Sequence, residues 1–248
     1  MRKGTSPPGA DTEAHASQWV RGMFGRIAPR YDTLNHLLSM NVDRYWRART
    51  VRRMRAVLYK PGAVALDLCC GTGDLTIALS RGASSARIFG SDFSHPMLVR
   101  AGRKLAARSL PSRIFESDAL ALPVRDASLD LITIAFGFRN LVDYRAGLRE
   151  LHRALKPGGI VAILEFSQPP NTLFAAVYHL YSRRVLPMLG GWISGSREAY
   201  SYLPESVRKF PGAEELALEM RAAGFSHVEF TRMTAGVVAL HVGGVTAP

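Results

Sequence analysis

The stretch that most constrains the fold of this chain is 63–76, which reads AVALDLCCGTGDLT. A short apolar run carries Asp67 near its end, and Gly71 and Gly73 then flank Thr72 before a helical pattern opens. A buried strand that ends in glycines and turns into a helix is how α/β proteins present backbone amides to a ligand. Glycine allows a ligand to come close, and the helix N-terminus offers unpaired N–H groups. The sequence therefore predicts a nucleotide-type binding loop.

Two common loops of this kind do not match. The third glycine of the dinucleotide fingerprint would fall at Thr76, and no Gly-Lys-Ser/Thr follows, as a P-loop requires. An acidic residue at the end of a strand, followed by Gly-x-Gly, is instead the pattern of S-adenosylmethionine (SAM) methyltransferases. The loop alone leaves other cofactors open.

Composition limits the class of protein. The chain has 248 residues, 47% of them apolar, which suits one α/β domain with a sizeable core. The formal net charge of +12 indicates an anionic partner, for which nucleic acid and a membrane surface both qualify. The two cysteines are adjacent, Cys69 and Cys70, so we expect neither a structural disulfide nor a metal site. Because no apolar leader follows the N-terminus and no run of 18 apolar residues occurs, we expect a cytoplasmic protein.

Strands and helices alternate after residue 62. This alternation predicts an α/β fold with a mostly parallel sheet covered on both faces. A short link between the last two strands predicts a hairpin, so the final strand should be antiparallel. Strands are predicted at 63–69, 87–92, 113–116, 129–136, 159–166, 225–231 and 236–242, and helices from 74 and at 95–107, 143–155 and 213–223.

Three segments fall outside this pattern. Residues 1–17 are polar and predict a disordered tail, and 18–248 then form a single domain. Segment 18–60 predicts a helical lid: two short helices interrupted by Pro29, then a basic amphipathic helix at 43–59, which is either a solvated face or a contact with anionic lipid headgroups. The insertion at 168–211 is either a cover for an apolar substrate or extra core helices.

Acidic residues mark the ends of the second and third strands. Asp92 lies where a carboxylate can accept hydrogen bonds from both hydroxyl groups of a ribose, although an Asp there also suits a helix N-cap. Asp118 and Ala119 lie where a carboxylate and a backbone N–H can recognise the edge of an adenine. With the glycine loop, these positions describe one nucleoside cofactor across the sheet, which favours SAM.

The chain resembles the ubiquinone/menaquinone biosynthesis C-methyltransferase family, and the resemblance extends from Phe24 to the C-terminus. The Gly-Phe-Arg-Asn run, with Leu-Glu-Phe-Ser after it, is specific to that family. The matching segments are FGRIAPRYDTLNHLLSMNVDRYWR at 24–47, ALDLCCGTGD at 65–74, DFSHPML at 92–98, ITIAFGFRNLVD at 132–143, LKPGGIVAILEFSQP at 155–169 and YSYLPESVRKFP at 200–211.

The resemblance implies a Rossmann-like class I SAM-dependent methyltransferase with a seven-stranded sheet. Its implied reaction is C-methylation of a polyprenylated quinol, either demethylmenaquinol to menaquinol or the benzoquinol of ubiquinone synthesis. Ala135 stands where family members often have Ser, so we expect a backbone contact there. No metal is implied. The cofactor-binding residues that the resemblance implies are Thr72, Asp92, Asp118, Ala119 and Ala135. The glycine loop adds Asp67, Gly71 and Gly73 to the predicted cofactor-binding residues.

Arg139 and Asn140 follow the fourth strand, at the end expected for the methyl group of the cofactor. We predict that Arg139 stabilises a developing phenolate and that Asn140 holds the ring oxygen or a water, with the general base unassigned. The alternative for Arg139 is that it only fixes the loop. Tyr31, Asp32 and Asn35 are predicted to contact the ring, or else to form a capped and packed helix.

Other functions remain open at this stage: SAM-dependent methylation of another small molecule or of RNA, or a scaffold without activity. No recognisable RNA-binding module is present, so we expect no nucleic-acid partner. The expected partners are the quinol, the inner face of a membrane through peripheral contact, and either a second copy of the chain or an assembly for quinone synthesis.

Overall fold

The structure of the chain is a computed structural model that describes residues 4, 5, 7, 9–171 and 197–247, without the side chains of Leu34, Leu38 and 197–201. Its seven strands form one sheet in the order β3-β2-β1-β4-β5-β7-β6. Strand β7 pairs antiparallel with both β5 and β6, and the other pairs are parallel, as predicted. The strands are β1 Val64–Leu68, β2 Arg87–Asp92, β3 Ile114–Glu116, β4 Leu129–Ala135, β5 Leu155–Phe166, β6 Ser226–Met233 and β7 Val238–Gly244.

Helices cover both faces of the sheet, and short 3-10 turns lie at Ala28–Arg30, Phe138–Asn140 and Thr234–Gly236. The helices described are α1 Glu13–Ile27, α2 Tyr31–Leu38, α3 Val42–Arg53, α4 Arg55–Leu58, α5 Asp74–Gly82, α6 His95–Ala106, α7 Tyr144–Ala154, α8 Arg197–Lys209 and α9 Ala213–Ala222.

Alternate side chains of the central strands form two separate cores. Leu66, Ile132 and Ile163 point to the face covered by α7 and α9. Their neighbours Leu131 and Ala162 point to the opposite face, which α3, α4 and α5 cover. Strands that are buried on both faces are apolar at successive positions, and this explains the nearly continuous apolar runs in the sequence.

The predicted tail at 1–17 is too long. Helix α1 begins at Glu13, and its N-cap Thr12 accepts a hydrogen bond from the backbone N–H of His15. Further upstream, the backbone N–H of Thr5 donates to the carbonyl of Leu141 at 2.7 Å. Ala16, in the first turns of α1, is buried against the domain together with residues at helical spacing after it. The polar composition of the segment therefore concealed the start of an amphipathic helix.

The predicted break at Pro29 is observed as the 3-10 turn between α1 and α2. The predicted helix at 43–59 is interrupted at Met54, where α3 ends and α4 begins. The N–H of Met54 lies 3.1 Å from the carbonyls of both Thr50 and Val51, a shared bond that tightens the last turn of a helix.

Two further boundaries differ from the prediction. Strand β5 starts at Leu155, because the turn at 156–159 is a bulge: Leu129 pairs with Leu155 and Leu131 with Ile160. Within the predicted insertion, 172–196 lie outside the described residues, whereas Tyr202 and Ser206 of α8, and Phe210 directly after it, are buried against the domain. No helix among the described residues is long and apolar enough to span a bilayer.

Candidate active site

A cavity opens at the carboxyl ends of the parallel strands, beneath α1 and α2. It encloses about 720 Å³ measured out to its open mouth. Five of the predicted cofactor residues and two of the other candidates lie on its wall: Gly71, Asp92, Asp118, Ala119, Ala135, Tyr31 and Asn140. Side chains that the sequence analysis did not select complete it: Ser17, Phe24, Leu68, Cys69, Phe93, Met97, Ser117, Leu120, Phe136, Leu141 and Val142, with Gly137.

The glycine turn after β1 is shaped for close approach. Gly71 and Gly73 have φ angles of +55° and +84°, in the left-handed region that glycine adopts without strain. A Cβ on Gly71 would have only the Tyr31 ring within 4 Å, at 3.9 Å, so this residue leaves its side of the cavity open. A Cβ on Gly73 would instead lie 3.2 Å from Ala101, so its small size also lets α6 pack closely.

Two residues on the wall that are not glycine also have left-handed backbones. Cys69 follows β1 with φ +55°, and Phe136 follows β4 with φ +60°. Such conformations are costly for residues with a Cβ and concentrate at functional sites. Gly137 accommodates this pair, since a Cβ there would lie 2.4 Å from the Cβ of Cys69.

Asp92 presents a buried carboxylate to the cavity. One oxygen accepts from the N–H of Gly71 at 2.8 Å and the other from the N–H of Ser94 at 2.9 Å. Burial raises the pKa of Asp92 to about 6, although these N–H groups act in the opposite direction. The N-cap of α6 is Ser94 rather than Asp92, so the N-cap alternative for Asp92 is wrong. The position on the cavity wall is the one expected for ribose recognition.

Asp118 and Ala119 follow β3 on the same wall. One carboxylate oxygen of Asp118 accepts from the N–H of Leu120 at 2.9 Å, which fixes the side chain beside the backbone of Ala119. An acceptor and a backbone amide thus lie together, which is the pair that an adenine edge needs.

Asp67 does not line the cavity, and the direct cofactor contact predicted for it has no support in this geometry. Its carboxylate accepts hydrogen bonds from Thr76 at 2.6 Å and from Thr133 at 3.1 Å, below the glycine turn. Burial raises its pKa to about 7, against the effect of these hydroxyl groups. Asp67 therefore ties β1 to α5 and β4, and supports the turn from beneath.

Thr72 and Gly73 also lie behind the wall. The hydroxyl group of Thr72 donates to Asp32 of α2 and is buried. Of the three residues predicted to contact the ring, Tyr31 alone reaches the described cavity wall, whereas Asp32 and Asn35 do not. Burial raises the pKa of Tyr31, and the charges of Arg139 and Arg47 reduce that rise.

Arg139 departs from its predicted role. Its guanidinium group is buried and lies outside the cavity wall, 2.9 Å from Glu165. It also donates to the carbonyl of Phe136 and, at 3.3 Å, to the hydroxyl of Ser206 in α8. Burial acts to lower the pKa of Arg139, but the charge of Glu165, the nearby Tyr202 and Tyr31 and the hydrogen bond to Glu165 together shift it upward. These contacts indicate the alternative: Arg139 fixes the loop after β4.

Asn140, the next residue, does face the cavity. Its side-chain oxygen accepts a hydrogen bond from the hydroxyl of Tyr202 at 3.0 Å, and that hydroxyl is also 2.7 Å from Thr5. The buried Tyr202 thus holds the amide from behind. In the sequence, Asn140 was marked only by its place in a family motif. Its contact with Tyr202 could not be predicted, because the two residues lie 62 positions apart.

The place of Phe93 and Met97 on the cavity wall could have been predicted from the sequence. Phe93 directly follows Asp92, and Met97 lies one helical turn further on, so both face the region where the nucleoside would lie. Ser17 and Phe24 could not, because their place on the wall depends on how α1 crosses the strand ends.

A seven-stranded sheet with an antiparallel β7, a glycine turn after β1 and acidic ends on β2 and β3 defines a Rossmann-like SAM-dependent methyltransferase. Residues 12–245 match the model of the ubiE/COQ5 methyltransferase family, and the chain belongs to that family.

Its relatives agree with this assignment. The chain is 52% identical to the demethylmenaquinone methyltransferase of Thermus thermophilus, and the match covers 89% of this chain and 99% of that protein. It is 47% identical to the protein of that name from Deinococcus radiodurans, over 96% of each. A solved SAM-dependent methyltransferase from Thermotoga maritima has the same fold, with a TM-score of 0.62 and 19% identity over 90% of this chain and 98% of that one.

We predict that Arg139→Ala lowers the free energy of unfolding by about 3–5 kcal/mol, because it leaves the Glu165 carboxylate buried without its partner. SAM affinity and turnover should fall together, as the loop after β4 loses its support. Urea unfolding, calorimetry and a methyl-transfer assay on one preparation measure the three quantities.

The control is Arg145→Ala, which removes an exposed ion pair with Glu219 and should change stability far less. Adding Glu165→Gln to Arg139→Ala should restore part of the lost stability. A variant that keeps full stability and SAM affinity but loses turnover would contradict this role and restore the electrostatic one.

Proposed function

We propose that this chain transfers a methyl group from SAM to a ring carbon of demethylmenaquinol, forming menaquinol. The names of its relatives support this substrate. The corresponding benzoquinol of ubiquinone synthesis is the alternative that the resemblance to the family leaves open.

The observation that carries the proposal is the two-ended cavity. One end has the acidic side chains of Asp92 and Asp118, which suit a nucleoside. The other end, after β4, has the aromatic ring of Phe136 and the amide of Asn140, and Tyr31 lies between the two ends over Gly71. This combination suits a flat apolar ring with hydroxyl groups. A donor and an acceptor bound in this way would meet at the end of β4.

The residues at the strand ends would hold the cofactor. Asp92 would accept hydrogen bonds from the ribose hydroxyls, Asp118 and the N–H of Ala119 would hold the adenine edge, and Phe93 would pack against the base. Gly71 would leave room for the methionine end, and the methyl group that SAM supplies would be used near Ala135 and Asn140.

Only the reduced ring can react. A quinol hydroxyl that loses its proton delocalises negative charge onto the neighbouring carbon, and that carbon attacks the methyl group of the sulfonium. The carbon–sulfur bond breaks towards sulfur, and the ring carbon then loses its proton to restore aromaticity. Asn140 can donate from its amide to the phenolate oxygen, and Tyr31 lies on the same wall.

The function predicts methylation of reduced demethylmenaquinone by SAM and none of the oxidised form, because an electron-poor quinone cannot attack a sulfonium. Mass spectrometry of the extracted quinone, with reductant present or absent, measures this. A demethylated benzoquinol with the same prenyl tail is the matched comparison. Equal methylation of oxidised and reduced rings would refute the mechanism, and a preference for the benzoquinol would reverse the choice of substrate.

We predict that SAM binds about tenfold more tightly at pH 7 than at pH 5. Hydroxyl groups bond more strongly to an ionised carboxylate, and with a pKa of about 6 the fraction of ionised Asp92 rises from about a tenth to about nine tenths over this range. Calorimetry at constant ionic strength measures the change.

Asp92→Asn should bind SAM about tenfold or more weakly at pH 7 and should lose most of this pH dependence. Asp67 also titrates near this range, with a pKa of about 7. An unchanged pH dependence in Asp92→Asn would therefore assign it to Asp67 and contradict the ribose contact.

Peripheral contact with a membrane also follows from this substrate, whose prenyl tail remains in the bilayer. On α2 to α4, arginines and large apolar side chains are exposed together, and Met40 is 75% exposed. Cationic and apolar groups on one surface suit an anionic lipid interface. We call this set the α2–α4 surface; it comprises Leu37, Met40, Arg44, Tyr45, Arg52, Arg53, Arg55 and Tyr59. From its apolar sequence we also expect segment 172–193 to contribute to this contact, and that segment lies outside the described residues.

We predict that the protein binds vesicles containing anionic lipid and that binding weakens as salt rises, because ions screen exposed charges. Arg44→Glu with Arg52→Glu should abolish most of this binding in a sedimentation assay. Arg108→Glu with Arg125→Glu, an equal charge change at exposed positions elsewhere, should reduce it much less. Equal binding to neutral and anionic vesicles at every salt concentration would argue against this surface.

A further inference from the structure

Lys104 of α6 lies at the centre of a charged cluster behind the glycine turn. Its ammonium group donates to Asp32 at 2.8 Å, to Asp74 at 2.5 Å and to the hydroxyl of Thr72 at 3.2 Å. These partners belong to α2, to the first turn of α5 and to the glycine turn, and the Thr72 hydroxyl itself donates to Asp32. One side chain therefore joins three elements that meet around the cofactor end of the cavity.

The side chains of this cluster are only partly exposed to solvent, so water screens the interactions between their charges incompletely. The side chains of Lys104, Asp32 and Asp74 are 19%, 28% and 23% exposed. Asp74 also faces His36 at 3.7 Å and Arg47 at 3.9 Å, so it retains a positive neighbour in Arg47 if the ammonium is removed. Asp32 would be left beside the Thr72 hydroxyl and near a second carboxylate. The position of Asp32 is therefore the one that depends most on Lys104.

Asp32 lies in the first turn of α2. It follows Tyr31, the first residue of α2, and that helix has no side-chain hydrogen bond at its N-cap. The Tyr31 ring lies on the cavity wall, within 4 Å of the Cβ position of Gly71. An attachment at Asp32 therefore holds the Tyr31 ring over the glycine turn.

We propose that Lys104 is a positioning residue that fastens α2 to the glycine turn through Asp32 and Thr72. It touches neither cofactor nor substrate, and acts by keeping Tyr31 and the turn in the arrangement that encloses the methionine end of SAM. The inference rests on the proposed function for the identity of the cofactor site, and its test needs no quinol.

The test is a double-mutant cycle on SAM binding, measured by calorimetry and by stopped-flow dissociation. Lys104→Met should weaken SAM about tenfold, mainly through faster dissociation, and hydrogen exchange across α2 should speed up. Asp32→Asn should weaken SAM at least threefold. When Asp32 is already Asn, adding Lys104→Met should cost threefold or less, because the charge it held is gone.

Arg103→Met is the matched control, since it removes one exposed positive charge from the adjacent position of α6, and it should change affinity less than twofold. Lys104→Arg should retain part of the affinity, because a cation remains near both carboxylates.

Three results would overturn the proposal: unchanged SAM affinity in Lys104→Met, the same tenfold loss in both Asp32 backgrounds, or an equal loss in Arg103→Met. If Lys104→Met does not fold, Asp32→Asn alone decides, and full affinity in that variant refutes the attachment. If the double-mutant cycle gives the expected result but the protein methylates no quinol, the proposed function is rejected and the inference about Lys104 still holds.

Discussion

The buried ion pair between Arg139 and Glu165 is the interaction on which the site depends. It links the turn after β4 to the end of β5, and Ser206 and Tyr202 bring α8 onto the same turn. Glu165 also accepts from the backbone N–H of Arg139 and Phe166, so both charges are surrounded by donors and acceptors. Removing either member would expose the other to the full cost of burial. The geometry of the cavity is thus maintained by a pair that does not enter it.

The sheet could be predicted because its signals are local. Apolar runs, helical spacing and turn residues each occupy fewer than about a dozen positions, and chain order then determines which strands cross over. The errors also have local causes. The break at Met54 and the bulge after Leu155 depend on backbone hydrogen bonds that cannot be predicted from the types of the residues. The start of α1 was missed because a polar surface hid its buried face.

The site was less predictable because its residues act through distant partners. Asp92 and Asp118 reach the wall simply by following their strands, and the sequence located both. Arg139 also follows a strand, but its side chain points away from the cavity because it pairs with the carboxylate of Glu165. Asp32 reaches Thr72 and Lys104 across 40 and 72 positions, and this pairing emerges only once α2 crosses the strand ends. The position of a residue at the end of a strand therefore predicts that it lies near the site. The direction in which its side chain points depends on the charged residues that pack beside it.

Charge is distributed unevenly over the molecule, and this suits the chemistry. The chain as a whole carries +12, with arginines exposed on the α2–α4 surface. Around the cavity the balance reverses: burial raises the pKa of Cys69 well above its usual value, and the charges of Asp92, Asp67, Glu165 and Asp118 raise it further. Because Arg139 is matched by Glu165, the carboxylates of Asp92 and Asp118 leave a negative potential on the cavity wall. A sulfonium cofactor is attracted by that potential, and its neutral product after methyl transfer is not. Under the proposed function, the carboxylates that would help to bind SAM would therefore also favour release of the spent cofactor.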